Sequence, residues 1–379
     1  MKIERAIKKD IQEHFTKSKK GIIVLGPRQA GKTTLVNDIL TESGWKTAIV
    51  NGDQSGEWRN VLESRDIDKM KLWLSNYEAL FVDEAQRIPE IGLSLKIILD
   101  EIPRLKVIVT GSSSLDLQSK VSEPLTGRVY TYKLYPISQL ELSRKITTAE
   151  RMTQLEQRLI FGSYPEVFSL EGAQDIAEYL QNVTDNYLYK DLLEFDGIKN
   201  SNKIRDLLKL LAFQIGGQVS INELAGNLGL SRDTVDRYID LLEKSYVVFR
   251  LSGFSRNLRK EVSKMDKIFF YDLGIRNAII GNLSFLAERN DVGQLWENFL
   301  IVERMKKKAY QREYQSQYFW RLKSGAELDY IEEAGGKLQG FEFKWGKNAS
   351  RSIKQFGEYY PNSVAEIINR DNWLKFVGE

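Results

Sequence analysis

The stretch GPRQAGKTT at positions 26–34 constrains this chain more than any other feature. It follows the β-branched apolar run GIIVLG (21–26) and precedes the helix-like LVNDILTES. Strand, loop and helix thus stand in the order that the spacing G-x-x-x-x-G-K-[ST] requires. Gly26 and Gly31 let backbone N–H groups turn inward around a phosphate, Lys32 reaches for the terminal phosphates, and Thr33 offers a hydroxyl to Mg²⁺. With Pro27, Arg28, Gln29, Ala30 and Thr34 completing the loop, residues 26–34 are the expected nucleotide contacts. The competing reading is an ordinary glycine-rich βα turn.

Four more apolar runs follow, TAIVN (47–51), ALFVDE (79–84), KVIVTGS (106–112) and VYTYKLYP (129–136), separated by longer mixed segments. Continuous apolar strands alternating with helices imply a parallel sheet covered on both faces, the α/β class. The third run ends in Asp83 and Glu84, where acids would stand beside a nucleotide on the loop. Asp83 is expected to hold Mg²⁺ through water, and Glu84 to polarise the attacking water as general base. The alternative is two acids solvating a strand end. At the fourth strand tip, Thr110 or Ser112 is placed to bond the γ-phosphate or the lytic water, or else acts as a simple cap. Arg128, after a glycine before the fifth strand, is a candidate for stabilising transition-state charge in cis or across a subunit interface; a surface salt bridge is the rival.

At this point the chain resembles a known family. GPRQAGKTTLV, LFVDEAQ, VTGSSS, LTGRVYTYKLYPIS and FGSYPEVF resemble the AAA+ ATPases of bacteria and archaea that carry an uncharacterised C-terminal domain. The resemblance implies a catalytic-glutamate core with sheet order 5-1-4-3-2, Mg²⁺-dependent ATP hydrolysis, and assembly into an oligomer, with a hexameric ring favoured. It also sets Arg128 where such proteins often keep an arginine acting in trans. No clear second sensor arginine follows in the lid region.

From about 140 to 250 apolar residues fall three and four apart, the helical period, and after about 290 a helix, QLWENFLIVERMKKKA, leads into strands around YQSQYFWRL, AELDYIEE and LQGFEFKW. Within 203–250, INELAGNLG and SRDTVDRYIDLLEKS read as two helices about a short turn, with Ser231 as N-cap of the second. The following strands flank a basic hairpin, FSRNLRKEVSKMD, which gives a winged helix-turn-helix layout. For DNA, Ser231, Arg232, Thr234 and Arg237 would face a groove while Arg256, Arg259 and Lys260 contact phosphates. Asp233, Asp236, Asp240 and Glu243 on the same helix oppose that reading and favour a protein interface. Near the end, Glu297, Asp329, Glu342 and Lys344 have the types and order of a metal-dependent phosphodiesterase, with Asp329 and Glu342 as metal ligands. This set resembles the restriction-endonuclease-like fold and its D…E-x-K signature. Such a domain either cleaves DNA or only binds it.

The expected organisation is therefore a P-loop AAA+ core over 1–140, a helical lid over 141–200, a winged helix-turn-helix over 201–289 and a restriction-endonuclease-like α/β domain over 290–379. The chain has no cysteine and one histidine, His14, which excludes disulfides, thiol nucleophiles and cysteine-ligated metals and leaves oxygen as the metal ligand. No apolar run approaches the roughly 18–20 residues that span a bilayer, and the charged start is unlike a signal peptide, so no membrane partner and a cytoplasmic location are expected. A net charge of +3 is too mild for binding a polyanion by global charge, so any nucleic-acid site is local, as at Arg256, Arg259, Lys260, Lys264 and Lys267 or at Arg304–Lys308, unless these are solvated faces. The function expected is an ATPase that binds and remodels structured or branched DNA; the alternatives are an ATP-regulated nuclease and a nucleotide-operated protein switch.

Overall fold

Five runs of aliphatic residues form β1 (Gly21–Leu25), β2 (Thr47–Asn51), β3 (Ala79–Asp83), β4 (Lys106–Gly111) and β5 (Val129–Lys133), all parallel in the order β2-β3-β4-β1-β5. That is the expected order, 5-1-4-3-2. Every residue of β1 and β3 is buried, as a sheet covered on both faces demands. The helix Lys8–Lys17 buries Ile11 and Phe15, while Lys32–Ser43 buries Leu35, Val36, Ile39 and Leu40. Gly44, with a left-handed backbone, stops the latter helix.

This computed structural model describes residues 2–112, 125–188, 201–256, 265–346 and 351–378. They divide into two compact units, one of 2–135 with 244–246 and one comprising most of 136–379. No helix among the described residues is long and apolar enough to cross a membrane.

In the second unit, the helices Gln139–Leu142, Thr148–Thr153, Leu155–Phe161 and Ala173–Asn182 precede Ser201–Phe213, Ile221–Leu228 and Arg232–Lys244. Ser220 caps Ile221–Leu228 by accepting from Glu223 N, and Ser231 Oγ accepts from Thr234 N at 3.2 Å, the cap expected from sequence. β6 (Val248–Gly253) and β7 (Lys267–Phe270) then pair antiparallel. The strands β8 (Ser316–Arg321), β9 (Glu327–Ala334), β10 (Lys337–Phe343) and β11 (Val364–Ile368) join them in one six-stranded sheet, order β11-β10-β9-β8-β6-β7.

The join is a short parallel contact, Ser252 with Tyr318 and Gly253 with Phe319, extended by Phe254 N donating to Phe319 O at 2.7 Å. The boundary drawn at 289/290 therefore falls inside one compact unit, because the two segments it separates share a sheet. One core layer of this unit holds Phe254, Trp320, Leu328, Ile331, Leu338 and Phe356. In a second cluster Trp296 stacks on Phe299 and both meet Trp373 edge to face, with Phe376 against Phe341 and Phe343. Trp345 meets Trp296 edge-on at 5.4 Å and carries the Arg370 guanidinium over its ring. It is a packed tryptophan.

Candidate functional site

The loop at the end of β1 is shaped by its backbone. Gly26 has φ +158°, and a Cβ there would lie 2.1 Å from the Leu134 carbonyl oxygen, so no other residue fits. Gln29 and Gly31 also take positive φ, and Leu35 N bonds Gly31 O as the helix begins. The helix Lys32–Ser43 starts directly at this loop, and a helix start directs its first backbone N–H groups toward an anion. Lys32 is buried, and its ammonium donates to the carbonyls of Gly26 at 3.0 Å and Pro27 at 2.9 Å, within its own loop. The loop is braced by Arg5, which sequence reasoning missed: its guanidinium donates to Ala30 O at 2.6 Å and also to Tyr135 O. Position alone gave no signal for it, since the contacts cross 25 and 130 residues.

Parallel pairing of β1, β4 and β3 sets their C-terminal ends side by side, where α/β sheets bind ligands. Thr33 Oγ1 donates toward both carboxylate oxygens of Asp83, at 3.1 and 3.0 Å. Thr110, fully buried, also donates to Asp83 and accepts from Glu84 N at 3.2 Å. Its hydroxyl thus links Asp83 to the backbone of Glu84. The Asp83 carboxylate is buried, with the Thr33 and Thr110 hydroxyls against it. A hydroxyl and a carboxylate at contact distance, both hard oxygen donors, suit Mg²⁺. Glu84 takes a left-handed backbone (φ +48°, ψ +47°) that turns the chain into the short 3₁₀ segment Ala85–Arg87. Its carboxylate accepts from Gln86 Nε2 at 2.5 Å, and the same nitrogen donates to Ser112 Oγ at 2.8 Å. Lys32, Thr33, Asp83, Glu84, Thr110 and Ser112 are thereby brought together.

Arg128 is not part of that group. It precedes β5, whose Val129 is level with Gly21, at the end of β1 opposite the loop. Five residues of strand at about 3.3 Å each separate that level from Gly26, roughly 16 Å. The guanidinium is instead fixed to Asp100 by two bonds, Nε at 2.7 Å and the second nitrogen at 3.0 Å. Hydrogen bonding from Arg128 lowers the Asp100 pKa. A role in cis is excluded by this placement.

In the second unit, Arg232 and Arg237 are exposed on Arg232–Lys244. The acids of that helix meet a partner that the sequence did not reveal: Arg250 of β6 bonds Asp236 at 2.7 Å, Asp240 at 2.5 Å and Glu243 at 2.5 Å. Arg256 pairs with Glu333 at 2.8 Å. Arg259, Lys260 and Lys264 lie outside the described residues. The basic stretch 304–308 is not a free cationic surface, since Arg304 is bound to Glu332 at 2.7 Å and Lys306 to Glu303 at 2.7 Å.

The C-terminal acids do converge, but on a lysine. Lys267, at the start of β7 and buried, bonds Glu297 at 2.9 Å and Glu327 at 2.5 Å. Lys344 bonds Glu342 at 2.6 Å, and Phe343 N donates to Asp329 at 2.7 Å. Burial raises the Asp329 pKa well above the usual carboxylate range, with the nearby Glu297 adding to it and Lys267 opposing. Burial also raises Glu297, against the pull of Lys267. For Lys267 itself, burial disfavours the charge, but Glu297, Glu327 and Asp329 outweigh it and the pKa rises. Among the described residues no three acidic or histidine side chains are arranged to hold a metal. Asp329 and Glu342 lie near one another, with Lys267 and Lys344 as the cations among these acids.

Residues 18–143 match a family model described as an AAA domain. Residues 152–285 and 292–371 match two models, each described as a domain of unknown function. An uncharacterized protein of Mycobacterium tuberculosis is 29% identical over 327 residues, covering 85% of this chain and 70% of its own. An uncharacterized protein of Methanocaldococcus jannaschii is 23% identical over 345 residues, covering 86% of this chain and 75% of its own. Among solved structures, the Thermotoga maritima RuvB Holliday junction branch migration motor is similar at 19% identity and a TM-score of 0.35, over 65% of this chain and 90% of that one. The matched segment 18–143 and the parallel order β2-β3-β4-β1-β5 agree on a P-loop core of the AAA type.

Proposed function

We propose that this chain is a Mg²⁺-dependent ATPase that binds DNA through its second unit and remodels it. The observation that carries the ATPase reading is the Thr33 hydroxyl set against both oxygens of Asp83, with Glu84 one residue on, at the edge where β1 and β3 end. Lys32 would leave the Gly26 and Pro27 carbonyls for the β- and γ-phosphate oxygens, which bind an ammonium more strongly than a neutral carbonyl does. Thr33 and, through water, Asp83 would hold Mg²⁺, which when bound supplies charge neutralisation across those phosphates. Glu84 would take the proton of the attacking water. Since Arg128 is remote from its own loop and bonded to Asp100, any action of it on the transition state would need a neighbouring copy and the release of Asp100.

For DNA, the supporting observation is Arg250. It pairs with Asp236, Asp240 and Glu243 and offsets one of their three charges, on a helix that also exposes Arg232 and Arg237, so the acidic objection to a phosphate-facing surface is reduced and not removed. The nuclease alternative is weakened by Lys267. A nucleotide-operated protein switch keeps one observation in its favour, the pairing of Arg256, an expected phosphate contact, with Glu333.

The test is ATP hydrolysis by the full chain and by Glu84→Gln, without DNA and with single-stranded, duplex and four-way-junction DNA at fixed salt. Hydrolysis stimulated several-fold by one DNA and abolished in Glu84→Gln is the expected result. Hydrolysis indifferent to every DNA removes the DNA reading and leaves the switch. No hydrolysis in any condition removes both.

A further inference from the structure

Gln86 carries an unmet hydrogen-bonding capacity beside the general base. Its amide nitrogen spans Glu84 Oε2 at 2.5 Å and Ser112 Oγ at 2.8 Å. A carboxylate only accepts, so the nitrogen must face it and the amide oxygen must face elsewhere. That oxygen, Gln86 Oε1, is buried and has no hydrogen-bond partner among the described residues. A buried acceptor left unpaired is costly, and at a functional site it marks a place for a donor that comes with the substrate. The left-handed turn at Glu84 brings the two side chains together, and Ser112 ties the pair to the end of β4.

We propose that Gln86 positions the attacking water of ATP hydrolysis, an inference that rests on the ATPase reading above. Water has two hydrogens, and in-line attack needs both directed away from the γ-phosphorus. Glu84 accepts one hydrogen, with a carboxylate whose direction is set by the Gln86 amide nitrogen. Gln86 Oε1 accepts the other. In the step itself, the bond between the water oxygen and the γ-phosphorus forms. The bond from that phosphorus to the bridging oxygen breaks, its electron pair leaving with ADP, and the water proton passes to Glu84. Gln86 neither gains nor loses a proton, so it is a positioning residue.

The test compares the full chain with Gln86→Met, which keeps length but cannot hydrogen-bond, and Gln86→Glu, which can accept from water but cannot donate to Glu84. Steady-state kcat and KM for Mg·ATP, the Kd for a fluorescent ATP analogue, and the thermal midpoint are measured for each, with Glu84→Gln as reference. Positioning predicts that kcat falls by about a hundredfold in both variants. In Gln86→Met, KM, Kd and thermal midpoint stay near wild type, a division that a merely turn-stabilising glutamine would not give. A kcat within about threefold of wild type in Gln86→Met overturns the proposal, as does a loss of nucleotide affinity and thermal midpoint that matches the loss of rate. Should Gln86→Met fail to fold, a wild-type rate in Gln86→Glu overturns it equally. Absence of hydrolysis by the wild type instead refutes the ATPase reading and this one with it, whereas hydrolysis that needs Glu84 but ignores residue 86 refutes this one alone.

Discussion

Replacing Lys267 by methionine tests whether the C-terminal cluster is a closed arrangement of charge. The ammonium has a side-chain exposure of 4% and holds Glu297, 14% exposed, and Glu327, 25% exposed. Formation of such a buried pair is close to neutral in free energy, because desolvation offsets attraction, but deleting one partner leaves the others uncompensated at a cost of about 3–5 kcal/mol. Here the deletion leaves Glu297 without its bonded cation, while Glu327 keeps Arg321 at 3.5 Å, so that range is expected. For a unit of this size each kcal/mol lowers the unfolding midpoint by about 2–4 °C, which gives a fall of roughly 6–20 °C. Urea unfolding followed by tryptophan fluorescence reads the right part of the molecule, because Trp296, Trp320 and Trp373 are buried there. Lys267→Met with Glu297→Gln and Glu327→Gln together should regain most of the loss, since the charges then leave as a set. A Lys267→Met stability within about 1 kcal/mol of wild type, or a triple variant no better than the single one, would refute the reasoning.

Three further outcomes are expected. The native pKa of Asp329 is raised above the unfolded value of about 3.9, so the folded state binds more protons between the two and stability falls as pH rises through that window; Asp329→Asn should flatten this slope in urea titrations and be relatively more stable at pH 7 than at pH 4. Arg250→Met should cost about 1–3 kcal/mol and weaken retention of a labelled duplex in anisotropy titrations, since Asp236, Asp240 and Glu243 lose their common partner. Unchanged duplex affinity would count against the helix as the contact surface. Gly26→Ala should abolish binding of a fluorescent ATP analogue and lower stability by about 1–3 kcal/mol, because the loop cannot hold φ +158° beside the Leu134 carbonyl once a Cβ is present.

The nucleotide site was legible because its chemistry is local. Lys32 and Thr33 follow their glycine in one loop, Asp83 and Glu84 end one strand, and apolar runs announce each strand of the first sheet. What pairing over distance creates was hidden. Lys267 lies 30 residues from Glu297, and nothing about its neighbours distinguishes it from a surface lysine. Arg250 reads as one charge inside an apolar strand, and its use emerges only when β6 packs beside the preceding helix. Gln86 could have been found, since a polar amide two residues past a candidate general base is worth asking about; its bond to Ser112, across 26 residues, could not. For Arg128 the sequence leaves action in cis, action in trans and a surface salt bridge open, and strand direction sets the residue at the end of β1 away from its own loop.

The shared sheet has a consequence for where this chain tolerates interruption. A chain ended after residue 289 would keep β6 and β7 yet lose β8, so the outer backbone of Ser252 and Gly253 would meet water or another copy. It would also keep Lys267 and lose both Glu297 and Glu327. The interval 286–291 between two independently matched segments, which looks like a linker in the one-dimensional record, is therefore a seam within a single folding body. Recombination, proteolysis or domain exchange at that point would separate β6 from β8 and Lys267 from its two carboxylates.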